Sequence, residues 1–437
     1  MAAQDNPVSH IFRSLKVVDP HSPFHNKTVD LLINAGKIER VADGSARSLM
    51  ADNAIENDFP GYSVSPGIFD MQVSSGEPGY EEKESVISLN DAALAGGITE
   101  VLLMPGLSPV TENRGQVEYL EKLYNGTSIT AHIAGALSSG MEGKELSGFI
   151  DMRSGGAIAF TDDKSPVNNP VLLHLALQYS KASGGLVMVH CEDSKMSLGG
   201  KVNEGEISVK LGIKGAPSIS EELGVMRNIA LAEYHDAKIH LSGISTKSSV
   251  HLIRKAKAKG LKISCSVYAH QLYFNETELE GFDSFFKVWP PLRTDADQEA
   301  LIEGIADGTI DVICSDHRPE NQEQKQVEFE YAAFGMSGLE TLFGATLKAC
   351  KGKVETEKLI EKLCYAPRNL FGLNTPTIRE GNSASFFIYN AEEEFTFTDD
   401  MIRSKSANNP FPGRKLQGRV AGTFTAEKWF ELATAKV

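Results

Sequence analysis

Two rhythms of apolar and polar positions divide the chain. Up to about residue 62, apolar residues alternate with polar ones in short runs, and no helical period of useful length appears before Pro66. Residues 12–18, 29–33 and 38–41 read as strands, with Asp19-Pro20 and Asn34-Ala35-Gly36-Lys37 as turns between them. From Pro66 the rhythm changes, and short apolar runs alternate with amphipathic stretches for about 300 residues. The spacing predicts strands at 68–73, 100–104, 130–135, 157–160, 186–190, 238–241, 262–267 and 310–314. It predicts helices at 84–95, 113–124, 169–183, 219–234, 248–259 and 295–307, with Thr246-Lys247-Ser248-Ser249 as a start signal for the fifth. Eight strands that are apolar on both faces and alternate with helices predict a (β/α)8 barrel. After about Leu373 the strand rhythm returns at 384–389, 395–398 and 420–426. The expected organisation is a barrel over 65–373 and a small β-sandwich assembled from 1–64 and 374–437.

Composition sharpens this picture. A chain of 437 residues with 41% hydrophobic and 23% charged residues has a full core. A formal net charge of −15 argues against a nucleic-acid binder, which needs a basic face. No run approaches the roughly 18–20 apolar residues of a membrane span, and residues 1–16 lack the basic start and apolar run of a signal peptide. Five dispersed cysteines, at 191, 265, 314, 350 and 364, predict reduced thiols and a cytoplasmic protein. Cys191 alone adjoins a polar motif, following His190.

In such a barrel, chemistry gathers at the C-terminal ends of the strands. The polar residues that follow the predicted strands include Asp162, His190, His240, His270, Asp316 and His317. Acids and imidazoles converging on one rim suit a metal-dependent hydrolase.

A set of motifs runs nearly the full length: Ser65-Pro66-Gly67-Ile68-Phe69-Asp70, Glu77-Pro78-Gly79, Thr161-Asp162-Asp163, His190-Cys191-Glu192-Asp193, Ile244-Ser245-Thr246, Pro290-Pro291-Leu292-Arg293, Asp316-His317, Gly338-Leu339-Glu340-Thr341 and Asn408-Asn409-Pro410-Phe411. In their order and spacing the chain resembles the long, bacterial-type dihydroorotases of the amidohydrolase superfamily. The resemblance implies interconversion of dihydroorotate and carbamoyl aspartate at a centre of one or two zinc ions, which activate water as a nucleophile.

The chain departs from that pattern at the chemistry itself. Where the family has a His-x-His pair, this sequence has Gln72 and Ser74, and its later zinc histidine position is Gly243. Positions that hold substrate in the family are Gly76, Gly106, Trp289 and Glu320. The family's metal ligands that persist are Asp162 (with Asp163 the alternative one residue on), His190 and Asp316, the last also standing at the acid/base position. Amide and hydroxyl oxygens are poor substitutes for imidazole toward zinc. The expected cofactor is therefore none, or weakly bound zinc. Trp289 is expected to fill the pocket, and Glu320 to repel an anionic substrate.

These substitutions predict a dihydroorotase-like protein without that activity, acting as a structural or regulatory partner: a homodimer, with aspartate carbamoyltransferase as a candidate associate. Two alternatives remain open: an active cyclic amidohydrolase with a single metal on Asp162, His190, Asp316 and a recruited His240 or His270, and a sensor whose acids favour a cationic or neutral ligand.

Overall fold

The structure, a computed structural model, describes residues 9–44, 48–51 and 53–432; residues 1–8 of the N-terminal stretch assessed for a signal peptide lie outside it. Eight parallel strands form the barrel: Ile68–Val73, Ile98–Leu103, Thr130–Gly135, Ala159–Phe160, Leu186–His190, Ile239–Ser242, Ile263–Tyr268 and Val312–Cys314. They neighbour one another in chain order. The seam between the last and first strands is closed by a bridge from Val73 to His317 and by the Ser74 amide donating to the His317 carbonyl at 2.9 Å. The barrel interior is filled by Phe69, Met71, Leu102, Met188 and Tyr268, so the barrel is a packed core and not a pore.

Helix starts follow from their caps. Ser85, Asn113 and Thr294 each accept a hydrogen bond from the third backbone amide of the helix they open, and Thr246 does the same for Lys247–Ala258. Each cap lies just outside the helix it starts, so helices predicted from Glu84, Asn113 and Asn169 begin one or two residues later, at Val86, Arg114 and Pro170.

A second sheet takes strands from both ends of the chain. Its order runs Lys428–Glu431, Lys415–Thr425, Phe386–Thr396, Ser63–Pro66, His10–Val17, Thr28–Asn34 and Lys37–Asp43, with Ile55–Asp58 on His10–Val17. Phe12, Phe386, Phe424 and Trp429 meet edge-on and stacked at its centre. The segments predicted as separate strands at 384–389 and 395–398 belong largely to one eleven-residue strand, Phe386–Thr396. Its polar middle, which reads as a loop, is exposed, and Glu394 there pairs with Lys348 and Lys415. Among the described residues no helix is long and apolar enough to cross a membrane.

Candidate active site

The rim at the C-terminal ends of the strands holds the polar residues that the sequence points to, but their roles divide. Of the acids after the fourth strand, Asp162 is buried against Ser138: its carboxylate accepts the Ser138 amide at 2.8 Å and the Ser138 hydroxyl. Asp163 is the one that faces the rim's centre. Its backbone is left-handed, with φ of 50°, and its carboxylate accepts from Gln72 Nε2 at 3.3 Å and from the Arg318 guanidinium. Of the two acids, Asp163 is the one in contact with Gln72 and Arg318, while Asp162 is bound to Ser138.

Asp316, also left-handed with φ of 57°, is 5% exposed. Lys164 Nζ lies 2.6 Å from its Oδ1 and 3.9 Å from the centroid of the Tyr268 ring. Burial pulls both members of this pair toward their neutral forms, raising the Asp316 pKa and lowering that of Lys164, while their mutual attraction opposes it. Asp163 is held below the usual carboxylate range: the Arg318 and Lys164 charges and its hydrogen bonds outweigh a large burial effect of opposite sign. Each retained acid therefore has a cationic side chain of the same protein against it.

His190 is 3% exposed. The Trp289 indole Nε1 lies 3.1 Å from His190 Nε2 and donates to Glu192 Oε2 at 2.8 Å, and Glu192 Oε2 lies 3.2 Å from the same imidazole nitrogen. The indole and the carboxylate cover the Nε2 edge of the imidazole, while Nδ1 is buried without a partner. Phe334 packs edge-on against Trp289. Lys164, Glu192, Trp289, Asp316 and Arg318 border one cavity of about 340 Å³.

The other predicted rim residues are buried, and both ring nitrogens of His270 lack a hydrogen-bond partner. His317 is buried between Glu84, at 3.2 Å, and the Gly338 amide, which donates to its Nδ1 at 3.2 Å. His240 is buried against Ser264 Oγ at 3.0 Å, and burial lowers its pKa to about 3. His270 stacks on Tyr268, and burial, with the Lys164 charge behind it, likewise lowers its pKa to about 3. Cys191 is buried under Asn228, and burial pushes its thiol up to about 12, so it is no reactive thiolate. Glu320 does not present a bare negative charge: Lys83 Nζ pairs with it at 2.8 Å. Nor do the acids invite a cationic ligand, because Asp163 and Asp316 are already paired with Arg318 and Lys164.

Three of the altered positions differ in whether their original side chains can return. A Cβ on Gly243, where φ is 64°, would lie 2.4 Å from the Tyr268 ring. A Cβ on Gly76 would lie 2.2 Å from the Glu84 carbonyl and 2.4 Å from that of Tyr80. A Cβ on Gly106 meets nothing closer than Met141 at 3.9 Å. Gly243→His is therefore expected to lose roughly 2–4 kcal/mol of stability through overpacking and a strained backbone, and Gly106→Asn less than about 1 kcal/mol. Thermal unfolding of both variants checks this; equal midpoints would show that the room at Gly243 is misjudged.

The zinc implied by the resemblance is a poor fit to these residues. Among the described residues no three His, Cys, Asp or Glu side chains converge as a metal-holding group. Of the donors that remain, Asp316 and Asp163 are paired with Lys164 and Arg318, Asp162 accepts from Ser138, and His190 is held at Nε2 by Trp289, with Nδ1 the one ring nitrogen left without a partner. Sequence motifs alone do not single out Lys164 and Arg318. Their signal was present, since each lies one or two residues after a retained acid.

The Dihydro-orotase-like family profile matches residues 61–249. A dihydroorotase of Acetivibrio thermocellus is 38% identical over 407 residues, covering 92% of this chain and 94% of that protein. A dihydroorotase of Geotalea daltonii is 36% identical over 415 residues, covering 94% and 97%. Among solved structures, the L-hydantoinase (dihydropyrimidinase) of Arthrobacter aurescens superposes with a TM-score of 0.84 at 22% identity, covering 96% of this chain and 95% of that one, a likeness of fold. With relatives this similar along nearly its whole length, the chain belongs to the dihydroorotase family, a family of cyclic amidohydrolases built on the (β/α)8 barrel and its sandwich.

Proposed function

We propose that this chain is a dihydroorotase-family protein that does not hydrolyse or close the dihydroorotate ring and acts instead as a structural or regulatory subunit. The observation that carries the reading is the pair of internal cations on the retained acids, Lys164 on Asp316 and Arg318 on Asp163. In a metal hydrolase those carboxylates are free to bind a divalent ion; here they neutralise side chains of the protein itself. Trp289 over His190, and the space closed at Gly243 and Gly76, support the same reading.

A second reading rests on the relatives. Proteins named dihydroorotase match nearly end to end, which favours an active cyclic amidohydrolase with one metal on His190, the rim aspartates and a recruited histidine. His270 is the freer recruit, since both its ring nitrogens are without a partner, whereas His240 Nδ1 is occupied by Ser264. Assays of dihydroorotate hydrolysis and of carbamoyl aspartate cyclisation, each with added zinc or manganese, separate the two. Turnover above background supports the second reading and overturns the first.

The subunit role requires partners: a second copy of this chain, and aspartate carbamoyltransferase as the further associate. An apolar stripe supports self-association. Val171, Leu175 and Tyr179 recur at helical spacing on Pro170–Ser183 with exposures of 62%, 37% and 45%, beside Tyr234 at 78%. Leu175→Glu/Tyr179→Glu is expected to convert a dimer to a monomer in multi-angle light scattering while leaving the unfolding midpoint within a few degrees. An unchanged mass would remove this stripe as the contact. Co-expression with aspartate carbamoyltransferase is expected to give one complex on size exclusion; separate elution at the individual masses would contradict that association.

A further inference from the structure

The barrel face opposite the rim carries a second cavity, of about 500 Å³, where the starts of the fourth, fifth and sixth strands meet residues 369–372. Four cationic residues line it, Arg153, Lys181, Lys238 and Lys262, and all four are exposed. Among the described lining residues Asp236 is the one acid, and Lys262 pairs with it at 2.7 Å. Arg153 donates to the Ala157 carbonyl at 2.9 Å and Lys181 to the His235 carbonyl at 3.2 Å. These carbonyls lie at or just beyond helix C-termini, each equivalent to only about half a negative charge. Even after that compensation, the cleft keeps a positive surplus in a chain whose net charge is −15.

Beneath the cations the cavity is apolar. Ile158, Leu186, Leu370 and Phe371 line it and belong to or pack on the cluster that fills the barrel interior. Gly184 and Gly372 stand at the mouth, and a Cβ on either would meet nothing within 4 Å. The cavity is therefore open and positively rimmed, with an apolar floor large enough for a flat ring system.

We propose that this cleft binds a phosphorylated small molecule with a planar, weakly polar body, of the nucleotide class. The phosphates lie against Lys181, Lys238 and Arg153, and the body lies on Leu370 and Phe371. Because the cations are exposed, the attraction is screened by salt, and affinity falls as ionic strength rises. The site lies on the opposite face from the rim and stands whether or not the rim retains any chemistry.

Isothermal titration of the full chain in low salt, without divalent metal, uses two probes: adenosine triphosphate and inorganic triphosphate. The nucleotide is expected to bind saturably, at one per chain and more tightly than inorganic triphosphate. Lys181→Ala/Lys238→Ala is expected to weaken it about ten-fold or more with an unchanged unfolding midpoint, since both side chains are exposed. Raising the salt to about 0.3 M is expected to weaken it as well. Absence of binding by the nucleotide at millimolar concentration, indifference of that binding to the double substitution, or equal affinity for both probes would each overturn the proposal.

Discussion

Lys164→Ala is expected to destabilise the protein by roughly 3–5 kcal/mol, because it leaves a buried carboxylate without its partner. Asp316 is 5% exposed and its nearest cation is Lys164 at 2.6 Å. Removing the ammonium strands the carboxylate in a low-dielectric site between Tyr268 and Arg318, whose guanidinium is already committed to Asp163. The remedy available to the variant is to protonate Asp316, whose pKa burial already raises. Removing both members, as Lys164→Met/Asp316→Leu, is expected to recover much of the loss, since a buried pair replaced by apolar groups of similar volume is often neutral. Urea unfolding of the wild-type chain, Lys164→Met, Asp316→Leu and the double variant closes the cycle, with Lys164→Ala measured beside them. A Lys164→Ala loss below about 1 kcal/mol, the range of surface pairs, would show that the two side chains are not paired as described.

The largest expected effect is on turnover. Opening an unstrained cyclic amide at neutral pH depends on a hydroxide-like nucleophile, and a zinc-bound water supplies one by dropping its pKa from 15.7 to about 7. That shift, roughly 9 pK units, corresponds to about 12 kcal/mol of acidity. Neither Lys164 nor Arg318 can replace it, because each is neutralised by the carboxylate that it touches. Neither cation is left to polarise a carbonyl or a water. The protein is expected to give no rate above the uncatalysed background with dihydroorotate or carbamoyl aspartate. Single reversions such as Gln72→His are expected to leave that unchanged, since Lys164 and Arg318 still occupy the acids. A measurable rate in the wild-type chain would instead mark it as a single-metal enzyme.

Much of the architecture was legible in the sequence because the barrel's strands are buried on both faces and separated by capped amphipathic helices. That pattern survives without any contact information. The fourth strand was harder: only Ala159 and Phe160 pair, fewer than the apolar run suggests. The strand at Phe386–Thr396 looks like two in the sequence because its polar middle faces solvent and pairs with lysines on Leu342–Cys350 and Lys415–Thr425.

At the site, the substitutions at 72, 74, 76 and 243 were visible as changes of residue type. What filled the vacated space was not visible. Lys164 and Asp316 lie far apart in the chain, and the pairing arises only when the fourth and eighth strands close into one barrel. The different contacts of Asp162 and Asp163, with Ser138 and with Gln72 and Arg318, are likewise not encoded by hydrophobic periodicity. Glu320 read as a repulsive charge because its partner, Lys83, sits after the first strand in an exposed-looking Glu-Glu-Lys-Glu run.

The central claim, that internal cations stand where a metal hydrolase holds its ions, is tested most directly by metal content. The purified chain is incubated with excess zinc, desalted and analysed for metal per chain by mass spectrometry of the elements. Zinc is expected far below one per chain, with no change in the unfolding midpoint on adding zinc or a chelator. Close to one zinc per chain, lost to a chelator with a matching drop in the midpoint, would contradict it.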